Sequence, residues 1–441
     1  MACGHYHGAF SHLRGPQRRK NKIPQSRVEL CLLFEGCMRH STLWQLLKEK
    51  GIKFPAEIPE IKVNEDFDKE EGPEAENEEK NVKEEKEIKV EEIIKNLSLS
   101  EVMKYMVTLE PTTQNEILAK LSNCVNSLKG DLEAIERVAK EISEDASDNG
   151  VLYFEVGLDP MKFVSDNEDK SVNVSDVIEA VLKGFKEAEL YTNAKAGLLL
   201  QVEKGKTQLS PNLISLCNKF KEKDIVGIEL TCNDQNIYTE IIEDGGSIDN
   251  LIFNTEDVAF IEEAHKQKVN CSVQAGEFGH PEMIFQAIEK LKADRIVFGY
   301  SVAQDSSLYH DCITNKIHFE VTPSLSILNG SVPTSTFYHP VIQFAEDHVN
   351  FSINTGLPVI TGGWTVQEYD LVQSWGLNET HLASATFNAA RASFAEDQEK
   401  KDLMKELRRI YGMEDKVDIE IFINHKCGLP DDPRRKIRVT F

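Results

Sequence analysis

Eight segments of the chain are short and nearly continuous in apolar residues. They are RVELCLLF (27–34), VLYFEVG (151–157), KAGLLLQV (195–202), DIVGIELT (224–231), VNCSVQA (269–275), DRIVFGY (294–300), KIHFEVT (316–322) and VNFSINT (349–355). They are too short for buried helices and rich in β-branched and aromatic residues, which predicts strands. Their near-continuous apolar character predicts burial on both faces, as in a parallel sheet covered by helices. Amphipathic stretches with helical spacing separate them, among them VSDVIEAVLKGFKEAELY, SPNLISLCNKFKEK, NTEDVAFIEEAHKQK and MIFQAIEKL. Eight such units over roughly 390 residues predict an α/β chain folded as a (β/α)₈ TIM barrel with insertions. No GxGxxG or GxxxxGK[ST] follows any strand, so a nucleotide-binding doubly wound sheet has no support.

The pattern breaks in three places. Residues 1–25 form a basic arm without periodicity or an apolar core, so they predict neither a secretory signal nor structure, although the lack of acids is also seen in transit peptides. Residues 65–92 carry 14 acidic side chains against 5 lysines. Such a run cannot bury enough apolar surface to offset its chain entropy, and it predicts a solvated, disordered insertion in the barrel domain of residues 26–412. Residues 413–441 contain two alternating runs, VDIEIFI and KIRVTF, around GLPDDP, which predicts a short C-terminal β-hairpin extension. The insertion and the tail are the expected docking surfaces for a protein partner.

Composition narrows the function classes. A formal net charge of −24 on 441 residues argues against nucleic-acid binding, which depends on neutralising phosphates. No apolar run approaches the ~18 residues of a membrane span. The nine cysteines are widely spaced and include no CxxC pair, which predicts reduced thiols and a cytoplasmic setting. His5 and His7 form an H-x-H pair, but they lie in the polar arm, well before the first strand. His280, His310, His318 and His339 sit at loops or strand starts and are expected to be surface or satisfied histidines.

In a TIM barrel the chemistry gathers at the C-terminal ends of the strands. One end reads VQAGEFGHPE (273–282), where Glu277 follows a strand and an Ala-Gly pair and precedes a helix. That is a place where a carboxylate can be held over a pocket as a proton shuttle, or as a hydrogen-bonded structural acid.

Taken together, VELCLLFEG, IELTCND, VQAGEFGHPE, RIVFGY, FEVTPS, FSINTGLP and NETHLASATFNAARASF resemble the adenosine deaminase family, in the same order, over about residues 26–412. The resemblance implies a zinc-dependent amidohydrolase-type barrel acting on purine nucleosides. In that family the first strand reads V-E-L-H-x-H-L-D-G, the fifth H-A-G-E, the sixth R-x-G-H-G and the eighth S-x-N-T-D-D-P. The two first-strand histidines, the fifth-strand histidine and the first eighth-strand aspartate hold the zinc. Here those positions are Cys31, Leu33, Gln274 and Gly356. The water-orienting histidine is Phe298, preceded by Val297. The aspartate that holds the purine is Leu357, the small glycine against the base is Cys232, and the ribose-contacting aspartate is Glu35.

Glu277 keeps the family's catalytic acid position, and Glu29, Gly36, Gly276, Gly299, Pro323, Asn354, Thr355 and Pro358 keep its scaffold. Zinc needs several nitrogen or anionic ligands with one open position, and of the replacements only Cys31 has affinity for a metal. The expectation is therefore no metal and no other cofactor, with apolar side chains partly filling the old site. The resemblance with these replacements implies a catalytically inactive relative with a binding or structural role. The alternatives are a divergent purine nucleoside deaminase converting adenosine to inosine, and a protein that binds purine nucleosides weakly without turnover.

Overall fold

The structure, a computed structural model, describes residues 26–55, 96–167, 170–209, 212–232, 253–332 and 339–413. The basic arm with His5 and His7, the acidic insertion of 65–92 and all but the first residue of the C-terminal extension lie outside the described residues.

Eight parallel strands run in sequence order around one sheet: β1 (Arg27–Leu33), β2 (Val151–Leu158), β3 (Lys195–Glu203), β4 (Ile225–Thr231), β5 (Asn270–Ala275), β6 (Arg295–Phe298), β7 (Phe319–Val321) and β8 (Phe351–Ile353). All eight predicted strands are present. The last three are shorter than predicted, and the backbone gives the reason for two of them. Phe298 (φ 70°) and Gly299 (φ 73°) both adopt the left-handed conformation, which turns the chain out of β6 into a short helical turn, Tyr300–Gln304. Lys316 is also left-handed (φ 56°), so β7 cannot begin there.

The last gap in the barrel is closed by side-chain and backbone bonds just past β8. Leu30 donates its N–H to Asn354 Oδ1 at 2.8 Å. Gly356 donates to the Cys31 carbonyl at 3.0 Å and accepts from the Leu33 N–H at 3.2 Å. Along β1, Val28 and Leu30 pack outward against Phe387, Ala389 and Ala390 of the helix Glu379–Ala392. The alternation of a strand then turns Glu29, Cys31 and Leu33 into the barrel.

Helices cover the outside. The predicted amphipathic stretches form α-helices at Val174–Ala188, Leu213–Lys219, Thr255–Lys266 and Pro281–Glu289. Between β1 and β2 the chain also builds His40–Lys50, Leu99–Met106, Gln114–Leu128 and Leu132–Asp148. Two of these begin with reciprocal capping boxes, Ser98 with Glu101 and Thr113 with Glu116, which satisfy otherwise orphaned N–H groups. Leu132–Asp148 packs against Val174–Ala188 so closely that a Cβ on Gly184 would come within 2.4 Å of the Glu136 carbonyl oxygen. Among the described residues, no helix is long and apolar enough to cross a membrane.

Candidate functional site

The barrel topology brings the ends of β1, β4, β5, β6 and β8 around one opening, and with them Cys31, Leu33, Cys232, Gln274, Glu277, Phe298, Gly356 and Leu357. Cys31, Leu33 and Gln274 are half-buried, whereas Cys232, Glu277, Phe298 and Leu357 are buried. The half-buried residues lie on β1 and β5, opposite each other in an eight-stranded barrel. Phe298 and Leu357 are buried, whereas Leu33 is half-buried and packs against the core.

Each of these side chains has a specific environment. Gln274 spans two strands: its Nε2 donates to Glu229 Oε1 at 2.6 Å, and its Oε1 accepts from the Cys232 backbone N–H at 3.2 Å. Glu277 accepts from Asn329 Nδ2 at 2.6 Å, and Asn329 also reaches Gln114 at 3.3 Å. Phe298 stacks on Tyr300 with ring centroids 6.2 Å apart. The Tyr300 hydroxyl accepts from the Thr322 N–H at 2.9 Å. Gly356 (φ 73°) contributes backbone alone, in the bonds that close the barrel. Glu35 is buried at the rim with one oxygen on the Lys162 ammonium at 2.8 Å, while its Oε2 has no hydrogen-bond partner.

Below the mouth the barrel interior is charged, which the apolar appearance of the strands concealed. Arg295, 1 % exposed, bridges Glu155 at 2.5 Å and Glu320 at 2.7 Å. Ser272 donates to Glu320 Oε1 at 3.2 Å, and Gln201 donates to Glu229 Oε1 at 3.3 Å. Glu29 accepts from the Thr355 hydroxyl at 2.5 Å and from the Thr365 hydroxyl. Burial raises the Glu320 carboxyl to about 8 and Glu29 to about 7, and it also raises Glu229. Burial, reinforced by Glu320, Glu229, Glu29 and Glu277, pushes the Cys31 thiol well above the ordinary cysteine range.

The histidines outside the mouth are held by local bonds. His280 and His339 each cap a helix, accepting from Glu282 N–H at 3.2 Å and Val341 N–H at 3.0 Å. His318 lies between Asn350 and Ser352, 3.0 Å from each. His310 is exposed.

Residues 95–410 match the family model for adenosine deaminase. The chain belongs to the adenosine deaminase family. It is 32% identical to an adenosine deaminase of Danio rerio over 406 residues, covering 89% of this chain and 98% of the relative. It is 28% identical to one of Xenopus laevis over 400 residues, covering 88% and 96%. Among solved structures, it shares its fold with an adenine deaminase from Arthrobacter aurescens (TM-score 0.63, 18% identity, 88% of this chain and 98% of the other). It also shares it with an Arabidopsis N6-mAMP deaminase (TM-score 0.64, 18% identity, 88% and 98%).

Adenosine deaminase barrels of the usual pattern hold zinc, so the donors present here must be tested against that ion. They do not fit. Leu33 offers no donor atom. Gln274, where a histidine would bind, has its amide engaged on Glu229 and its carbonyl on Cys232. Gly356, where a carboxylate would bind, has no side chain. Burial, reinforced by the acids around it, pushes the Cys31 thiol well above the ordinary cysteine range, away from the thiolate that a metal needs. Among the described residues, no group of three or more His, Cys, Asp or Glu side chains is placed to hold a metal ion.

Sequence reasoning missed Glu229, Glu320, Arg295, Gln201, Asn329 and Lys162. A usable signal was present for the first three: a charged residue at an inward position of an otherwise apolar strand requires a buried partner.

Proposed function

We propose that this member of the adenosine deaminase family does not deaminate nucleosides and works through binding. One observation carries the reading: the Gln274 side chain is committed at both ends to β4, at the position where the family places a metal ligand. Deamination in this family depends on a hydroxide generated on zinc, because a bound metal brings the pKa of water near neutrality. Glu277 supplies only a carboxylate, and a proton shuttle with no activated water cannot drive attack on the purine ring. Its bond from buried Asn329 supports a structural role for this acid.

Recognition of a purine nucleoside is weakened as well. Leu357 replaces the acid that holds the ring, and a site built around a hydrogen bond loses most of its discrimination when that bond goes. Glu35 at the rim is neutralised by Lys162. The working surfaces on this reading include the acidic residues 65–92 and the extension from residue 413, which suit docking to a protein with a basic face or an open sheet edge.

The test is a paired measurement on purified full-length protein: elemental analysis for zinc, and conversion of adenosine to inosine. The expected result is substoichiometric zinc and no turnover above background. Turnover that copurifies with the chain and disappears in Glu277→Gln would refute the proposal.

A further inference from the structure

The C-terminal end of helix Leu132–Asp148 is short of positive charge. Its closing stretch reads EDASD, with Glu144, Asp145 and Asp148 and no basic residue. A helix C-terminus carries partial negative charge and favours cations, so these acids stand at the unfavourable end. One guanidinium serves two of them: Arg39 holds Glu144 at 2.9 Å and Asp145 at 2.7 Å. Asp148 is exposed, and no ion pair reaches it among the described residues. Lys140 and Lys186 are engaged on Glu136, Glu187 and Glu189. The same helix end carries exposed apolar surface, because the turn after helix Val174–Ala188 lies on it. There the Tyr191 hydroxyl donates to Glu144 at 3.0 Å, and the Asn193 N–H donates to Ser147 Oγ at 3.3 Å. Leu190 is 85 % exposed and Tyr191 61 %, the two most open large apolar side chains among the described residues. Open apolar side chains rimmed by carboxylates fit a segment that is both basic and apolar.

The chain supplies such a segment at that place. It enters β1 beside this helix end: the Arg27 N–H donates to the Gly150 carbonyl at 2.9 Å, and Arg27 Nη1 donates to the Asn149 carbonyl at 3.1 Å. The Tyr411 hydroxyl fixes the Ser26 carbonyl at 2.9 Å. The residues before Ser26 include Arg14, Arg18, Arg19, Lys20 and Lys22, no acid, and the apolar Leu13 and Ile23. An extended chain covers about 3.5 Å per residue, so Lys22 and Lys20 reach roughly 14–21 Å from Ser26. The acidic last turn of the helix is only about 6 Å long and lies within that reach. Exposed ion pairs are weak one by one, but a segment tethered this close is present at an effective concentration on the order of millimolar.

We propose that the basic segment of residues 1–25 docks on this surface of its own chain, with Lys20 and Lys22 against Asp148 and Glu144 and with Ile23 against Leu190 and Tyr191. The segment supplies the cations that the helix end lacks and covers the open apolar pair. The surface lies at the strand starts, opposite the barrel mouth, so this inference is independent of whether the mouth holds a metal.

The test is carbodiimide coupling of the full-length protein, which joins a lysine to a carboxylate it touches, with the products mapped by mass spectrometry. The Lys50–Asp131 pair, at 2.6 Å, is the internal control. The expected product is an amide between Lys20 or Lys22 and Asp148 or Glu144 within the monomer. Leu190→Ser combined with Tyr191→Ser, both at exposed positions, should remove most of that product and leave the control product unchanged. Control coupling with no product from Lys20 or Lys22 would overturn the proposal. Equal coupling of these lysines to carboxylates all over the surface would overturn it too, because that pattern needs no docking. So would an undiminished yield in the double variant. Coupling confined to covalent dimers would assign the surface to the segment of a second copy and overturn docking within the chain.

Discussion

Leu357 lies directly on Gly36. A Cβ built on Gly36 would come 2.5 Å from Leu357 Cδ2, closer than real carbon atoms approach. The Leu357 side chain, from the turn after β8, therefore occupies space that only a glycine at the β1 exit leaves open. The two ends of the barrel seam are packed as one unit.

That contact predicts a coupling. Gly36→Ala should destabilise the protein by about 1–3 kcal/mol through overpacking. Leu357→Ala should cost about 2–5 kcal/mol through lost burial and the cavity left at this buried position. The double variant should recover much of the Gly36→Ala cost, because the clash is removed. Urea unfolding of the four proteins measures the interaction energy. Strict additivity would show that Leu357 does not sit on Gly36.

Gln274 provides a second case. Gln274→Ala removes the 2.6 Å donor from a carboxylate that is 3 % exposed and breaks the bond from the Cys232 N–H. A loss of about 1–3 kcal/mol is expected, the cost of removing a hydrogen-bond partner from a buried charged group. Gln274→His, the substitution that puts back the family's residue, should also destabilise and should not raise the zinc content. Elemental analysis and unfolding of both variants check this. Zinc uptake by Gln274→His alone would mean that the other three positions are not the limiting ones.

The barrel was legible in the sequence because its signal is distributed. Eight apolar segments with helical intervals survive any single substitution, and each of the eight became a strand. The mouth was legible only in part. The identities at 31, 33, 274, 356 and 357 differ from the pattern that the resemblance implies, but they do not say what these residues do. Gln274 is an unremarkable polar residue until β4 places Glu229 within 2.6 Å of it. Leu33 looks like a core-filling leucine, and it does pack against the core, but the strand end leaves it only half-buried. The buried acids Glu155 and Glu320 were hidden for a related reason. Runs such as VLYFEVG and KIHFEVT average out as apolar, so a single inward glutamate does not disturb the strand pattern, although it dominates the electrostatics of the interior.

Buried acids also set a pH dependence. Burial raises Glu320 and Glu368 from an ordinary 4.5 to about 8, and Glu29 to about 7. The folded state then holds protons that the unfolded chain has released. The stability this contributes is fully present below about 4.5 and is lost as pH rises through the folded values. His318 and His339 act in the opposite sense, since burial lowers both from 6.5 to about 3, but their contribution is complete above 6.5. Between pH 6.5 and 8 the acids act alone, so the unfolding midpoint should fall across that interval. Glu368→Gln keeps an acceptor for the Ser324 N–H at 2.9 Å and removes the titrating proton. Its midpoint should fall less steeply over the same interval, and an unchanged slope would rule Glu368 out as a source.

The backbone at Gly356 bears on whether the site can be rebuilt. Its φ of 73° is the left-handed conformation, which glycine adopts freely and other residues adopt at a cost. A Cβ there would also lie 3.2 Å from Leu325 Cδ2 and Thr322 Cγ2. At the same time the Gly356 N–H and carbonyl join β8 to β1, so this stretch cannot relax without opening the barrel seam. Gly356→Asp should therefore destabilise by about 1–3 kcal/mol, from strain at a non-glycine left-handed residue. Gly356→Asn should cost no more, because asparagine tolerates that conformation best after glycine, and Gly356→Val should cost clearly more than either. The same ordering constrains any attempt to regain a metal site. Cys31→His, Leu33→His and Gln274→His combined with Gly356→Asp add donors to a mouth whose seam resists the fourth change, so this protein should bind zinc weakly at best and unfold at a lower temperature than the parent. Thermal unfolding of the three single Gly356 variants, with zinc titration of the fourfold variant, measures both points. A stable, stoichiometrically zinc-loaded fourfold variant would show that the left-handed turn at Gly356 is no obstacle.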